Sequence, residues 1–463
     1  YDNDIERISG RKVMMGRTAF HREFLKIAIP VALQSLLQSS FSLIDQIMTG
    51  QLGEIHIAGI GLAGKFAGLH SVVLAAIAAV AGIMIAQYLG KKDHKGVGYS
   101  FYLNLTLALG VSTLFMVVCI AMPKGIMGLY TVDCNTRDSA AGYLQIVALG
   151  FLPTTGSLLL STLLRCKEKA GIPLYATLFH ALLNTALNYC LIFGKLGFPE
   201  LGVIGAAWAT VIAQWVGFLI IVVCFFRLYF LEKWKLPFAL SINGNVFRQF
   251  LSILAPILVC EFFWGLGENV YAAIYGHIGT DSCAAMTLIN PLVGLFIGAM
   301  SGVSQAAAIL IGKQLGAGDF ETAYGYSKKL MWYGLVGSVS LSFLLIGLGQ
   351  FYVQIFQVAD TVRSTAYQLI LVFAIFAPVK VLNMILGSGI IRSGGQTKFV
   401  MFIDLIGTWL IGVPLGLVTA FVFRFPIPLV YAFLSTEECI RLAMAFCVFR
   451  RKKWMVQLEQ SET

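Results

Sequence analysis

Twelve stretches of this chain are long and apolar enough to cross a lipid bilayer, and that feature restricts its fold more than any motif does. A spanning helix needs about 20 predominantly apolar residues. The hydropathy pattern predicts spans near 25–48, 57–88, 99–122, 140–164, 172–194, 202–226, 250–275, 283–311, 326–350, 365–391, 398–422 and 426–449. Hydrocarbon offers no partner for a free N–H or C=O, so each span must close its own backbone bonds as a helix. Only 12% of the 463 residues are charged and 58% are hydrophobic. A soluble domain carries about 25% charged residues, and a globule of this composition would have too little polar material for its surface. Pro30, Pro153, Pro256, Pro291, Pro378 and Pro414 fall inside spans, where neighbouring helices can satisfy the freed backbone groups. The ends are the most polar parts, and no cleavable leader is expected.

Of the 33 Lys and Arg, 26 fall in the termini and the even-numbered connections. Five (Lys124, Arg137, Lys195, Arg363 and Arg424) fall in the odd-numbered ones, and Lys65 and Lys380 lie within spans. This bias predicts that both termini are cytoplasmic. It also accounts for the net charge of +10 without a nucleic-acid partner. The nine cysteines form no CxxC and no Cys/His cluster, so they read as small buried hydrophobes rather than metal ligands or disulfides.

The chain repeats itself at an offset of 226. Phe24, Leu25, Ile27 and Pro30 recur as Phe250, Leu251, Ile253 and Pro256. Gly50, Gly53 and Ala58 recur as Gly276, Gly279 and Ala284, and Leu89, Gly90 and Asp93 as Leu315, Gly316 and Asp319. Six spans per repeat insert both halves in the same sense, so the halves should be related by an axis along the membrane normal with a site between them. The expected organisation is a cytoplasmic tail (1–24), a six-helix lobe (25–226), a cytoplasmic linker placed to act as a hinge (227–249), a second six-helix lobe (250–449) and a cytoplasmic tail (450–463). The fold class is therefore all-α integral membrane, two six-helix lobes about a pseudo-twofold.

Ionisable residues inside a membrane are costly and mark functional candidates. Gln34, Gln38, Ser42, Asp45 and Thr49 share one face of the first span, which should border a wet cavity. His180, Asn184 and Asn188 recur at i, i+4, i+8 in the fifth span, with His180 read as a satisfied core residue. Asp45, Asn188 and Thr210 all fall in the outer half of the first lobe, so one carboxylate with amide and hydroxyl oxygens could hold a proton or Na⁺ there. If Na⁺ is the ion, Asp45 is its ligand. In the second lobe Glu261, Trp264, Glu268 and Tyr271 share a face of the seventh span, and Glu261 lies at the depth of Lys380, which leaves open whether the two form an ion pair. Asp404 and Thr408 lie one turn apart in the eleventh span, and Lys65 is placed to snorkel outward. The halves are chemically unequal, since Asp45 aligns with Tyr271 and Glu261 with Ser35.

Over about residues 20–450 the chain resembles the multidrug and toxic compound extrusion (MATE) family. The resemblance rests on PVALQSLLQSSFSLIDQIMTGQLGEIHIAGIGLA at 30–63, NTALNYCLIFG at 184–194, GVIGAAWATVIAQ at 202–214, YGHIGT at 275–280, AAAILIGKQLGAGD at 306–319 and IIRSGGQTKF at 390–399. It implies two bundles that alternately open a central cavity to either side, exporting organic cations and amphipathic drugs in exchange for H⁺ or Na⁺. It implies a coupling-ion site at Asp45, Asn184, Asn188 and Thr210, and a substrate cavity touching Gln34, Gln38, Glu261, Trp264, Glu268, Tyr271 and Lys380. Asn188 stands where the family motif carries a second acid, and Val381 where NorM-type relatives carry an acid in the tenth span. A single first-lobe carboxylate leans the expectation toward H⁺. No cofactor is implied. The expected setting is a bacterial plasma membrane, with the chain acting as a monomer. Two other functions make demands that the sequence does not meet. A lipid-linked oligosaccharide flippase would want several cations in its groove, whereas Lys65 and Lys380 are the two read as intramembrane, the cations near span ends and Arg441 being counted with the cytoplasmic segments. An intramembrane enzyme would want a catalytic constellation such as HExxH or GxSxG, and none is present.

Overall fold

The structure is a computed structural model that describes residues 2–232, 234, 244–356 and 358–458. It is all-helical: α1 (Asp2–Thr49), α2 (Glu54–Gly90), α3 (His94–Ala121), α4 (Cys134–Cys166), α5 (Gly171–Phe193), α6 (Gly202–Leu231), α7 (Gly244–Ile278), α8 (Thr280–Gly316), α9 (Phe320–Gln354), α10 (Asp360–Gly394), α11 (Thr397–Val422) and α12 (Ile427–Arg450). A short helix, Pro123–Gly128, joins α3 to α4. Among the described residues, α1 to α11 each contain a segment apolar enough to span, while α12 carries Glu437, Glu438 and Arg441 near its middle. The predicted spans correspond one to one with these helices. The polar N-terminal stretch continues α1 rather than forming a separate tail; of the proposed linker, 227–231 continue α6 and 244–249 begin α7, while 233 and 235–243 lie outside the described residues.

The helices form two bundles. In one, α2 packs on α3 and α4, and α5 on α1 and α6; in the other, α9 packs on α8 and α10, α11 on α7, and α12 on α10 and α11. The repeat reappears as equivalent helix starts, because Asp93 caps α3 by accepting from Gly96 N at 2.9 Å and Asp319 caps α9 from Thr322 N at 3.0 Å. Cysteine burial is uneven: Cys134, Cys283, Cys439 and Cys447 are exposed, because their helices turn those faces outward rather than into either bundle.

The bundles meet at one end. A Cβ on Gly90 would lie 1.9 Å from Lys313 O, and one on Gly316 would lie 1.9 Å from Gln87 O. Gln87 and Lys313 are themselves equivalent across the repeat, so the contact is reciprocal about the pseudo-twofold, and only glycine permits it. Nearby, Gly302 packs on Ala28, and the Ser35 and Ser301 hydroxyls lie 2.9 Å apart. This is the end that carries most of the Lys and Arg. At the opposite end Ile47, Gly50, Ile55, His277 and Cys283 are exposed, so the cleft between the bundles opens there.

The last described residues strap the closed end. Trp454 is fully buried against Phe449, and Leu458 is buried. Gln87 of α2 donates to Ser393 O at 2.7 Å and Val456 O at 3.2 Å, and accepts from Leu458 N at 2.8 Å. Lys91 donates to Leu458 O, and Gln457 donates to Gly316 O at 2.6 Å. The strap thus joins α2 of the first bundle to α8 and α10 of the second.

Candidate functional site

In the first bundle the expected residues come together. Asn188 Nδ2 donates to Asp45 Oδ1 at 2.6 Å and to Asn184 Oδ1 at 3.3 Å, and Asn184 Nδ2 donates to Thr210 Oγ1 at 3.3 Å. Helix α1 supplies the acid, α5 the amides and α6 the hydroxyl. Among the described residues no cation lies within ion-pair distance of Asp45. Asn188 is fully buried and its Oδ1 has no partner. Leaving a buried acceptor unmatched costs about 1–3 kcal/mol. A proton on Asp45, or a small cation between Asp45 and Asn188 Oδ1, would remove that cost, so the donor set fits a monovalent ion.

The rest of the polar stripe of α1 divides. Gln38 and Ser42 are exposed toward the cleft. Gln34 is buried instead, accepting from Arg165 Nη2 at 2.7 Å and donating to Thr177 Oγ1 at 2.8 Å, so it crosslinks α4 and α5 rather than lining the cavity. His180, expected to be satisfied, keeps an unpartnered buried Nε2. Lys65 is exposed, as its position suggested.

The second bundle encloses two adjoining cavities. One, of about 250 Å³, is lined by Glu261, Trp264, Lys380, Arg392, Asp404 and Arg441 among others. Its neighbour, of about 130 Å³, is lined by Trp264, Glu268, Tyr271, Tyr275, Lys380 and Glu437 among others. Whether Glu261 and Lys380 pair, left open by their shared depth, is answered by other partners. Arg392, the residue that follows the π-wound stretch Ile385–Ile391, turns back to lie 3.5 Å from Glu261 Oε1. Lys380 instead lies 3.8 Å from Glu438 Oε1.

Around these pairs the charges interlock. Arg441 pairs with Asp404 and lies 3.6 Å from Glu438 Oε1 and 3.9 Å from Glu437 Oε1. Tyr271 donates to Glu437 at 2.6 Å, Asn383 to Glu438 at 2.7 Å, and the Cys260 thiol to Asp404 at 2.9 Å. Glu268 has no cation within ion-pair distance among the described residues. Counted as ionised, Glu261, Glu268, Asp404, Glu437 and Glu438 outnumber Lys380, Arg392 and Arg441 by two. The walls therefore favour a guest of positive charge, and the half-exposed Trp264 adds an aromatic face.

Sequence reasoning missed Glu437, Glu438, Arg441 and Arg392, having counted both arginines with the cytoplasmic cations although Arg441 falls within the span 426–449. The signal was present: Glu437 and Glu438 precede Arg441 by four and three residues, which puts three charges on one side of a 24-residue helix. The cations in the spans thus exceed Lys65 and Lys380, but each added one is matched by a carboxylate.

A profile described as MatE matches residues 30–190 and 256–418, one segment in each half of the repeat. The chain is 24% identical to the "Uncharacterized transporter YisQ" of Bacillus subtilis over 92% of this chain and 93% of that one. It is 26% identical to a "Probable multidrug resistance protein NorM" of Streptococcus pneumoniae, over 84% and 86%. A crystal structure of MATE in complex with MaL6 superposes with a TM-score of 0.84 at 17% identity, covering 94% of this chain and 96% of that one. Twelve helices in two bundles, the doubled profile and the full-length relatives agree: this multi-pass membrane protein belongs to the MATE family of transporters.

Proposed function

We propose that the chain is a secondary antiporter that expels organic cations or amphipathic drugs from a bacterial cell in exchange for H⁺ or Na⁺. The carrying observation is Asp45, a membrane-embedded carboxylate with no cation within ion-pair distance among the described residues, bonded to an asparagine whose carbonyl oxygen has no partner among them. A group with no static partner is available to a mobile ion. Charge counting supports the second half of the reading, because the cavities of the second bundle keep two negative charges in excess.

The positive-inside bias assigns the closed, basic end to the cytoplasm, so the cleft faces outward in this state. A drug held at Glu268 and Trp264 would leave through it. An ion arriving at Asp45 would neutralise the acid, relax its hold on α5 through Asn188, and let α1 repack against α8. Binding linkage is reciprocal: the ion weakens drug binding by the factor by which drug weakens ion binding. The bundle bounds 25–226 and 250–449 are the proposed moving bodies, and a single chain suffices. With one first-lobe acid, H⁺ is favoured over Na⁺.

The test uses proteoliposomes loaded with a fluorescent organic cation. Efflux should accelerate when an inward H⁺ gradient is imposed, and a Na⁺ gradient at fixed pH should do less. No response to either gradient would refute antiport; a response to Na⁺ alone would keep antiport and reverse the choice of ion.

A further inference from the structure

Outside both sites, a groove of about 500 Å³ runs between α9 and α12 on the outer face of the second bundle. Its walls are Met331, Trp332, Leu335, Leu386, Leu442 and Phe446. Trp332 is 62% exposed, facing where lipid would be.

The groove ends among three cations. Lys328 Nζ lies 4.4 Å from the Tyr324 ring and Lys452 Nζ lies 4.8 Å from the same ring. Arg450 sits 4.7 Å from the Phe446 ring. Tyr324 stacks on Phe449 at 5.0 Å and Phe449 on Phe446 at 6.0 Å, so the three cations share one aromatic floor. Among the described residues no carboxylate pairs with any of them. Two ammonium groups over one ring repel each other, and the ring's attraction of about 0.5–1 kcal/mol at an exposed site offsets only part of that. An anion between them would relieve the repulsion.

We infer that this groove binds an anionic phospholipid from the leaflet at the basic end, its phosphate among Lys328, Arg450 and Lys452 and one acyl chain along Trp332 and Leu335. Chain and charge are both needed. The slot is apolar and opens sideways, which suits a hydrocarbon tail rather than a soluble anion. The three cations lie where α12 ends, at the level of the headgroups. A choline headgroup would bring its own cation against them, so phosphatidylglycerol should be preferred to phosphatidylcholine. Basic pockets between transmembrane helices recognise acidic headgroups in this way, at about 1 kcal/mol per Lys or Arg near the surface, which is about fivefold in affinity for each.

The probe is phosphatidylglycerol with brominated acyl chains, titrated into the full chain in phosphatidylcholine nanodiscs while tryptophan emission is followed. A saturable quench should appear, should vanish in Trp332→Phe, and should need at least about tenfold more brominated phosphatidylcholine to match. In the triple variant Lys328→Gln, Arg450→Gln, Lys452→Gln the preference should fall to about twofold or less. If that variant does not fold, the wild type decides: the preference should collapse between about 0.05 and about 1 M salt, as screening requires. Equal quenching by the two lipids, a preference that survives the variant or the salt, or displacement by millimolar inorganic phosphate would each overturn the proposal.

Discussion

The two bundles descend from one repeat, yet they treat charge in opposite ways. At equivalent positions α1 carries Asp45, whose one bonded side-chain partner is an amide, and α7 carries Tyr271, which donates to Glu437. Deep within its spans the first bundle keeps one acid, Asp45, and among the described residues no cation lies within ion-pair distance of it. The second surrounds its acids with Arg441, Lys380 and Arg392. A buried charge left without a partner is expensive, and a paired one resists change. The comparison teaches a division of labour: the bundle with the unpaired acid is suited to exchange an ion, and the bundle with the interlocked acids to stay rigid while presenting a negative surface.

The largest test removes the centre of the interlocked set. Arg441→Met would leave Asp404 and Glu437 without a cation and Glu438 with Lys380 alone, and should cost about 3–5 kcal/mol of stability, read as a lower unfolding temperature in detergent. A change under about 1 kcal/mol would dissolve the contrast between the bundles. Next comes the reciprocal glycine contact. Gly90→Val and Gly316→Val should each cost about 1–3 kcal/mol by overpacking, and by similar amounts because they face each other's equivalents. A much larger loss in one would show that the pseudo-twofold is not energetically even.

Asp45→Asn should cost less than about 1 kcal/mol, since a neutral amide can keep a hydrogen bond, while gradient-driven efflux disappears. Efflux at the wild-type rate would move ion coupling away from the first bundle. Trp264→Ala should weaken cationic drugs more than neutral ones, by about 0.5–2 kcal/mol; equal losses would make Trp264 a packing residue. The smallest effect lies outside the membrane. Hydrogen bonds from Lys169 at 2.6 Å and Trp234 at 2.8 Å hold the Glu232 carboxyl below its usual range. Its contribution is full above the ordinary glutamate value and fades as pH falls through the lowered one. Because the pair is exposed to solvent, Glu232→Gln should cost less than about 1 kcal/mol, and nothing at high salt.

The spans and the doubling were legible because each is a one-dimensional signal: hydropathy over about 20 residues, and identity at a constant offset. The first-bundle site was legible for a related reason. Spacings of four put Asn184 and Asn188 on one face, and counting from helix ends gave their depth beside Asp45. The second-bundle network was not. Its pairs join α7, α10, α11 and α12, and nothing local says that Arg392 turns back across a π-wound stretch to reach Glu261. Lys380 and Glu261 share a depth but not a partner, because depth fixes only one of the three coordinates a contact needs.

The strap at the closed end has a further consequence for how fast such a molecule can turn over. Alternating access requires α2 and α8 to separate near Gly90 and Gly316, and the chain from Trp454 to Leu458 bridges that seam. Each cycle must break the bonds of Gln87 and Gln457 before the seam can part, and remake them afterwards. In the proposed alternating-access cycle an open seam would lack these bonds, so they would raise the barrier to leaving the closed state and act as a brake on reorientation. Cargo affinity in the outward cleft is untouched. Cutting the chain after Arg450 should therefore change the rate at which the protein flips, and a bulky fusion at this end would make a wild-type transporter resemble a slower or leakier one in any flux measurement.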